Sequence, residues 1–146
     1  MKYFVTIIFI YLTTSVYSQI SINEMMKIYE MNMDQFETFS LGKGYHFVEA
    51  RESGFVYGKD FGKYISKHFG DNKYVHQQTS NVNEYLKFKN QIQNIGFVFK
   101  ESKSFEKTSK KGVLYKSLTK NYIKGKWQII LSSVENGQFD IILNQQ

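Results

Sequence analysis

The chain has 146 residues, with 19 Lys or Arg against 13 Asp or Glu and a formal net charge of +6. It contains no cysteine and no proline. The missing cysteines exclude disulfide staples, cysteine-ligated zinc and a cysteine nucleophile, so the hydrophobic core must hold the fold unaided.

Residues 1–18 have the pattern of a secretory signal peptide. Lys2 gives a basic start, Tyr3 to Leu12 form an apolar run, and Val16 and Ser18 precede Gln19 at the usual cleavage-site spacing. A membrane anchor is the weaker alternative, because the apolar run is about half the ~20 residues that span a bilayer. We therefore expect an exported protein, periplasmic or secreted. Its mature chain, 19–146, is long enough for one compact domain and has no transmembrane segment.

Two predicted helices begin with the same capping pattern. Ser21 is followed three residues later by Glu24, and Asn81 by Glu84. Apolar residues recur behind both starts at helical spacing: Ile22, Met25, Tyr29, Met33 and Phe36 in the first, and Tyr85, Phe88, Ile92 and Ile95 in the second. Gly44 and Gly96 are typical helix ends, with Gly42 as an earlier candidate for the first.

Glycine and aromatic landmarks then follow in the same order in both halves. Gly44-Tyr45-His46-Phe47 lies 52 positions before Gly96-Phe97-Val98-Phe99, and Gly62-Lys63-Tyr64 matches Gly125-Lys126-Trp127. The pattern predicts four strands in each half: 44–51, 54–59, 62–69 and 73–79, then 96–104, 110–121, 125–134 and 138–145. The order of landmarks favours an internal repeat over chance.

The predicted fold is therefore α+β, a single domain made of two repeats, 19–80 and 81–146. Each repeat is a helix plus a four-stranded antiparallel sheet, with the helices on one face and one broad sheet face open. The two sheets could join edge to edge. This order of elements resembles that of β-lactamase inhibitor proteins and, more loosely, that of TATA-binding proteins.

The last hairpin carries the strongest turn signal, Asn136-Gly137 between two β-rich runs. A two-residue turn there predicts that Ile130, Ser132 and Val134 face the helix together with the apolar residues of the last strand. It leaves Trp127, Ile129 and Leu131 on the opposite face.

The histidines leave two alternatives open. If residues 70–72 form a three-residue loop, His68 and His76 share a sheet face with Tyr64 and Tyr74, whereas a two-residue loop places them on opposite faces. No third ligand at a required spacing accompanies them, so we predict no metal site, and no nucleophile elbow or phosphate loop occurs. A small metal protein or hydrolase on this hairpin is the least favoured alternative.

The charge is uneven. Residues 19–80 hold seven Lys or Arg and eight Asp or Glu, whereas residues 81–146 hold eleven Lys and five Asp or Glu. The candidate anion-binding residues are Lys100, Lys103, Lys107, Lys110, Lys111, Lys116, Lys120, Lys124 and Lys126. The alternative is that they only keep exposed strands soluble. Export argues against a nucleic-acid partner.

These observations predict a non-enzymatic binding or inhibitory module without a cofactor. It would use the open sheet face and the lysine-rich hairpin, and its partner would be a protein. The candidate protein-binding residues are Tyr64, Tyr74 and Trp127, because exposed aromatic side chains anchor protein partners. The second hypothesis is a binder of an anionic envelope component, a lipid or a glycan.

Overall fold

A computed structural model describes residues 19–60, 62–108 and 112–146, and of Lys107 the backbone alone. The fold is α+β, with three helices and one eight-stranded antiparallel sheet. The helices are α1 (Ile22–Glu30), α2 (Met33–Gly42) and α3 (Val82–Ile95). The strands are β1 (His46–Arg51), β2 (Gly54–Lys59), β3 (Lys63–His68), β4 (Tyr74–Thr79), β5 (Val98–Thr108), β6 (Leu114–Lys124), β7 (Trp127–Val134) and β8 (Phe139–Gln145). The predicted signal peptide, Lys110 and Lys111 lie outside the described residues.

The strand order across the sheet is β1-β2-β3-β4-β8-β7-β6-β5. Two consecutive meanders therefore meet where β4 pairs with β8, for example Val75 with Leu143. The sheet is more extensive than the predicted four-stranded units, because this pairing joins them into one. Strands β1 and β5 form its two free edges.

The prediction of one continuous first helix is wrong, because two helices, α1 and α2, occupy these residues. α1 ends at Glu30 with Met31 as its C-cap, and Asn32 then caps α2. The Asn32 side chain accepts a hydrogen bond from the backbone of Gln35, and the Gln35 side chain accepts one from the Asn32 backbone. The second capping box was not predicted, because apolar residues continue at helical spacing across the break. The predicted capping box of Ser21 and Glu24 is confirmed.

At the C-terminal end of each helix, a lysine side chain from a strand donates to backbone carbonyls. Lys67 donates to the carbonyls of Ile28, Tyr29 and Met31 at the end of α1. Lys59 donates to the Lys43 carbonyl after α2 at 2.7 Å, and Lys124 donates to the Ile95 carbonyl of α3 at 2.6 Å. A cation there satisfies carbonyls that have no partner inside the helix and meets the negative end of the helix dipole.

All three helices pack on one face of the sheet, here called the helix side. An aromatic pair marks each contact: Tyr29 of α1 with Trp127, Phe36 of α2 with Tyr57, and Tyr85 of α3 with Phe139. The registers place Tyr57, Ile65, Val75, Ile141, Leu143, Ile129 and Leu131 on this side, and all of them belong to one buried cluster. None of the described helices is long and apolar enough to cross a membrane.

The predicted register of the last hairpin is wrong by one residue. Ser133 pairs with Phe139 and Leu131 with Ile141, and the Val134 backbone closes the turn by donating to the Gln138 carbonyl. A slip of one residue exchanges the two faces of a strand. Ile129 and Leu131 therefore face the helices, and Ile130 lies on the opposite face.

Candidate binding face

The opposite face of the sheet, here called the open face, has no helix over it in the described part of the chain. Many of its central side chains are polar, and most of these are half-buried. They include Ser66, His68, Tyr74, His76, Gln78, Ser132, Asp140 and Asn144. A solvated sheet face normally carries long charged side chains, so this composition is unusual.

A concavity of about 230 Å³ lies on the open face over β1 to β4. Its lining residues are Val48, Glu49, Arg51, Val56, Tyr64, Ser66, His76 and Gln78. The strand pairs Gly58 with Tyr64, and a Cβ atom on Gly58 would lie 2.9 Å from the Val48 side chain and 3.2 Å from the Tyr64 ring. The glycine therefore lets these two side chains lie close to the strand, where they form one wall of the concavity.

A histidine–carboxylate pair crosses the seam between the two meanders. His76 of β4 places Nε2 3.0 Å from Oδ1 of Asp140 on β8. Asp140 also accepts hydrogen bonds from the Gln138 side-chain amide. Because both side chains are mostly shielded from solvent, the pair fixes the imidazole plane beside the concavity. The other ring nitrogen of His76, Nδ1, is left to form a hydrogen bond with a ligand.

The two histidines share the open face with Tyr64 and Tyr74, as the three-residue alternative predicted, but the loop itself is five residues long, 69–73, because the strand pairing ends at His68 and Tyr74. His68 pairs with Tyr74 across the strands, and their rings stack at 4.7 Å with an interplanar angle of 12°. Ser53 lies 2.9 Å from Nε2 of His68. The two imidazoles thus have separate partners, Ser53 and Asp140. In the described residues no group of three or more His, Cys, Asp or Glu side chains could hold a metal ion.

A second concavity of about 170 Å³ lies on the open face of the other meander. Its lining residues are Glu101, Lys103, Phe105, Thr119, Asn121 and Ile130. Lys103 binds Glu101 at 3.1 Å, and this hydrogen bond lowers the pKa of the exposed Glu101 carboxyl. A ligand that spans both concavities would cross Ile142 and Ser132 at the centre of the sheet.

The three predicted protein-binding residues do not share a surface. Tyr64 and Tyr74 lie on the open face, whereas Trp127 lies on the helix side, with its ring 5.2 Å from that of Tyr29. The expectation that Trp127 faces outward with the two tyrosines was wrong, because it depended on the incorrect register of the last hairpin.

The predicted lysine cluster is divided between the two faces. Lys103 lies on the open face, whereas Lys116, Lys120 and Lys124 lie on the helix side of β6. Lys124 caps α3, and Lys126 lies over the Trp127 ring at 5.4 Å. Lys100 is the extra residue of a β-bulge in β5.

Sequence reasoning missed most of the open-face site. Asp140 and Gln78 become neighbours only through the β4–β8 pairing, for which the chain carries no local signal. Gly58 could have been found, since a glycine inside a strand often marks the close approach of another group. Comparison with known protein families, with curated proteins and with solved structures gave no match, so the resemblance in element order gains no support from them.

Proposed function

We propose that this protein is an exported, non-enzymatic binding or inhibitory module that holds a protein partner on the open face of its sheet. The observation that carries this proposal is the concavity over β1 to β4, where Tyr64 lies on Gly58 beside the His76–Asp140 pair. Such a surface offers an aromatic anchor, fixed hydrogen-bonding groups and half-buried walls, the features that concentrate binding energy at protein interfaces.

The rigidity of the open face suits the binding of a partner. His76 is engaged with Asp140 and His68 with Ser53, and both histidines lie on strands whose positions the sheet fixes on both sides. A rigid surface of this kind loses little conformational entropy when a partner docks.

The test is capture of partners from the producing cell on immobilised protein. We expect Tyr64→Ala combined with Tyr74→Ala to lose proteins that the wild type retains, because each truncation removes an aromatic anchor from the open face. Phe99→Ala is the matched control, since Phe99 is an exposed aromatic residue on the helix side. Retention of the same proteins by all three chains would contradict the proposal.

We further propose that the chain is an internal repeat, with α2 and β1–β4 as one copy and α3 and β5–β8 as the other. The helix-to-strand junctions support it. The backbone of Tyr45 donates to the Ser40 carbonyl, and 52 positions later the backbone of Phe97 donates to the Ile92 carbonyl. Gly44 and Gly96 both take a positive φ at these junctions, 79° and 88°. Under this proposal α1 has no counterpart.

The first strand of each copy also supports the repeat. Phe47 is followed by a β-bulge and packs edge-on against Tyr57 with ring centroids 5.8 Å apart. Phe99 is likewise followed by a bulge and packs edge-on against Tyr122 at 5.6 Å. The lysine caps of α2 and α3 correspond in the same way, since their donors lie at the ends of β2 and β6.

Two circular permutants test the repeat. One opens the chain between Ser80 and Asn81, at the boundary of the proposed copies, and the other opens it in the exposed Asn136–Gly137 turn, inside the second copy. Both join residue 146 to residue 19 by the same flexible linker. We expect the boundary permutant to be the more stable in urea denaturation, because each copy stays continuous. A boundary permutant that fails to fold while the other folds would contradict the repeat.

A further inference from the structure

β5 is the longer of the two free edges of the sheet. After the bulge at Lys100, each residue of Glu101–Thr108 pairs with one of Leu114–Asn121 on β6, and among the described residues no strand lies on its other side. β1, the other edge, has six residues, of which only three follow its bulge. A long, regular edge presents a row of backbone donors and acceptors that natural sheets normally shorten or cover.

Two short side chains leave room beside β5 on the helix side. Ser102 and Ser104 are exposed there, and across the strands they pair with Lys120 and Leu118 of β6. A ninth strand next to β5 would lie about 5 Å from it and about 10 Å from β6. Long side chains on such a strand would extend over the serines and meet Lys120 and Leu118.

On the open face the same edge presents a cation next to an aromatic ring. Lys103 and Phe105 lie two residues apart on β5 and line the concavity of about 170 Å³. Lys103 binds Glu101 at 3.1 Å, but its side chain is 59% exposed, so a second carboxylate can reach it. Phe105 is 45% exposed and offers apolar surface to a neighbouring side chain.

The charge of this edge determines which occupant it accepts. β5 and β6 together hold six lysines and two glutamates. Lysine on an edge strand opposes pairing between two copies of the chain, whereas it attracts a segment that carries carboxylates. A phospholipid or a glycan would meet the lysines but could not pair with the row of backbone groups. An extended polypeptide does both.

We propose that the β5 edge binds an extended acidic segment of another protein as a ninth, antiparallel strand. Strand addition gains affinity from backbone hydrogen bonds and specificity from alternate side chains. All seven strand pairings in the described sheet are antiparallel, so the added strand continues their pattern. This edge is separate from the concavity at Tyr64, so the inference does not depend on the proposed partner of the open face.

The side chains of β5 and β6 define the sequence pattern of the partner. A carboxylate belongs opposite Ser102, within reach of Lys120, and another belongs opposite Lys103. An apolar residue belongs opposite each of the next two exposed positions, Ser104 and Phe105. In an antiparallel strand this order reads as two apolar residues followed by two acidic residues.

The experiment is a fluorescence-anisotropy titration of the full mature chain into a labelled peptide, Thr-Thr-Thr-Val-Val-Glu-Glu-Thr. We expect saturable binding, weakened by about fivefold when the two glutamates are replaced by glutamine. A peptide N-methylated at both valines should not bind, because adjacent residues of a strand direct their N–H groups to opposite sides and one of the two therefore faces β5. No binding of the parent peptide, or equal binding of the N-methylated one, would overturn the proposal.

A double variant tests the role of the lysines. Lys103→Gln with Lys120→Gln should weaken binding of the parent peptide by about fivefold and leave that of the glutamine peptide nearly unchanged. Lys27→Gln with Lys87→Gln is the matched control, since it removes the same charge from exposed positions on α1 and α3. Equal losses in the two double variants would overturn the assignment to this edge. Circular dichroism and Trp127 fluorescence check that each variant is folded.

Amide hydrogen exchange locates the peptide directly. With saturating peptide, every second N–H between Glu101 and Glu106 should exchange more slowly, because alternate residues of an edge strand direct their N–H groups outward. The N–H groups of β1 should exchange at an unchanged rate. Peptide binding without this alternating protection of β5 would overturn the proposal and would indicate attraction by charge alone.

Discussion

Lys67 is the residue whose chemistry is most constrained by the fold. Its side chain is 0% exposed, yet its ammonium group donates to three carbonyls at the end of α1 and lies 4.9 Å from the Phe69 ring centroid. Burial lowers the pKa of Lys67 to about 8, with a further contribution from Lys73, while Glu30 opposes the shift. The carbonyls thus compensate for only part of the cost of burying the charge.

Replacement of Lys67 by methionine shows which is larger, the cost of burying the charge or the gain from the hydrogen bonds to the carbonyls. The variant no longer buries a charge, but it leaves the Tyr29 and Met31 carbonyls without a hydrogen-bond donor among the described residues, while the Ile28 carbonyl keeps the backbone N–H of Met31. Unsatisfied buried acceptors cost more than the substitution recovers, so we expect a loss of about 2 kcal/mol in the free energy of unfolding at neutral pH. Urea denaturation measures it. Lys27→Met, an exposed change on the same helix, should have little effect, and a gain in stability for Lys67→Met would contradict this account.

The same variant has a predicted pH dependence. The pKa of Lys67 is about 8 in the folded protein against 10.5 for an ordinary lysine. Between these values the unfolded chain binds more protons, so stability rises with pH, and this contribution is lost as the pH falls through 8. The wild type should therefore gain stability over Lys67→Met from pH 8 to pH 10. The buried Tyr45, whose pKa is raised to about 12 from 10.0, weakens both chains only above that range. A constant difference would contradict the prediction.

Gln77 is a polar residue in an apolar position. It is 3% exposed on the helix side, it pairs with Ile65 and Ile141, and its Oε1 has no hydrogen-bond partner among the described residues. In the proposed repeat its counterpart on β8 is Leu143. We expect Gln77→Leu to raise the free energy of unfolding by about 1 kcal/mol, because it removes an unpaired buried acceptor. Gln78→Leu, on the open face, should give no such gain, and equal effects would contradict the explanation.

At the scale of elements, the periodicity of apolar residues located the strands well but did not determine how they pair. The predicted strand 54–59 coincides with β2, and 125–134 differs from β7 by two residues at its start. The faces of β7 were exchanged because Asn136-Gly137 suggested a two-residue turn. A turn one residue longer or shorter reverses every side chain beyond it, and local sequence does not specify that length.

The same effect shifted the proposed repeat alignment. Lys59 pairs with Lys63 across a three-residue turn, whereas Lys124 pairs with Trp127 across a two-residue turn. Aligning Gly62 with Gly125 therefore matched Tyr64 with Trp127, which lie on opposite faces. If the two copies are aligned by these strand pairs, Lys63 corresponds to Trp127 and Tyr64 to Gln128. Tyr64 and Gln128 both lie on the open face.

Two sets of hydrogen bonds stabilise the break between α1 and α2, one in the core and one at the surface. Lys67 binds the Met31 carbonyl from the core, and the capping box of Asn32 and Gln35 closes the next helix at the surface. We expect Asn32→Ala to cost about 1 kcal/mol, the usual value of an N-cap, while Lys67 keeps the two helices separate. Urea denaturation gives the cost, and Asn83→Ala, an exposed change inside the first turn of α3, is the control. Equal costs for the two variants would contradict a specific capping role.

At the scale of the molecule, the two meanders share one strand pairing, β4 with β8, and α1 covers that seam. α1 places Met25 and Ile28 in the buried cluster together with Val75 of β4 and Leu143 of β8. No sequence pattern could reveal this arrangement, because each of its contacts joins residues far apart in the chain. The open-face pair His76–Asp140 crosses the same seam on the other side.

Ile28→Ala tests whether α1 makes the two meanders one cooperative unit. Ile28 is 0% exposed, so its truncation should cost about 2–5 kcal/mol through lost burial and a residual cavity. Trp127, the only tryptophan, reports on β7, while circular dichroism reports on the whole sheet. Because both meanders share the core beneath α1, the two signals should change at the same, lowered urea concentration. The exposed change Met33→Ala should leave that concentration unaltered. If the tryptophan signal of Ile28→Ala separated from the circular dichroism, each meander would hold its own core, and α1 would only cover the seam.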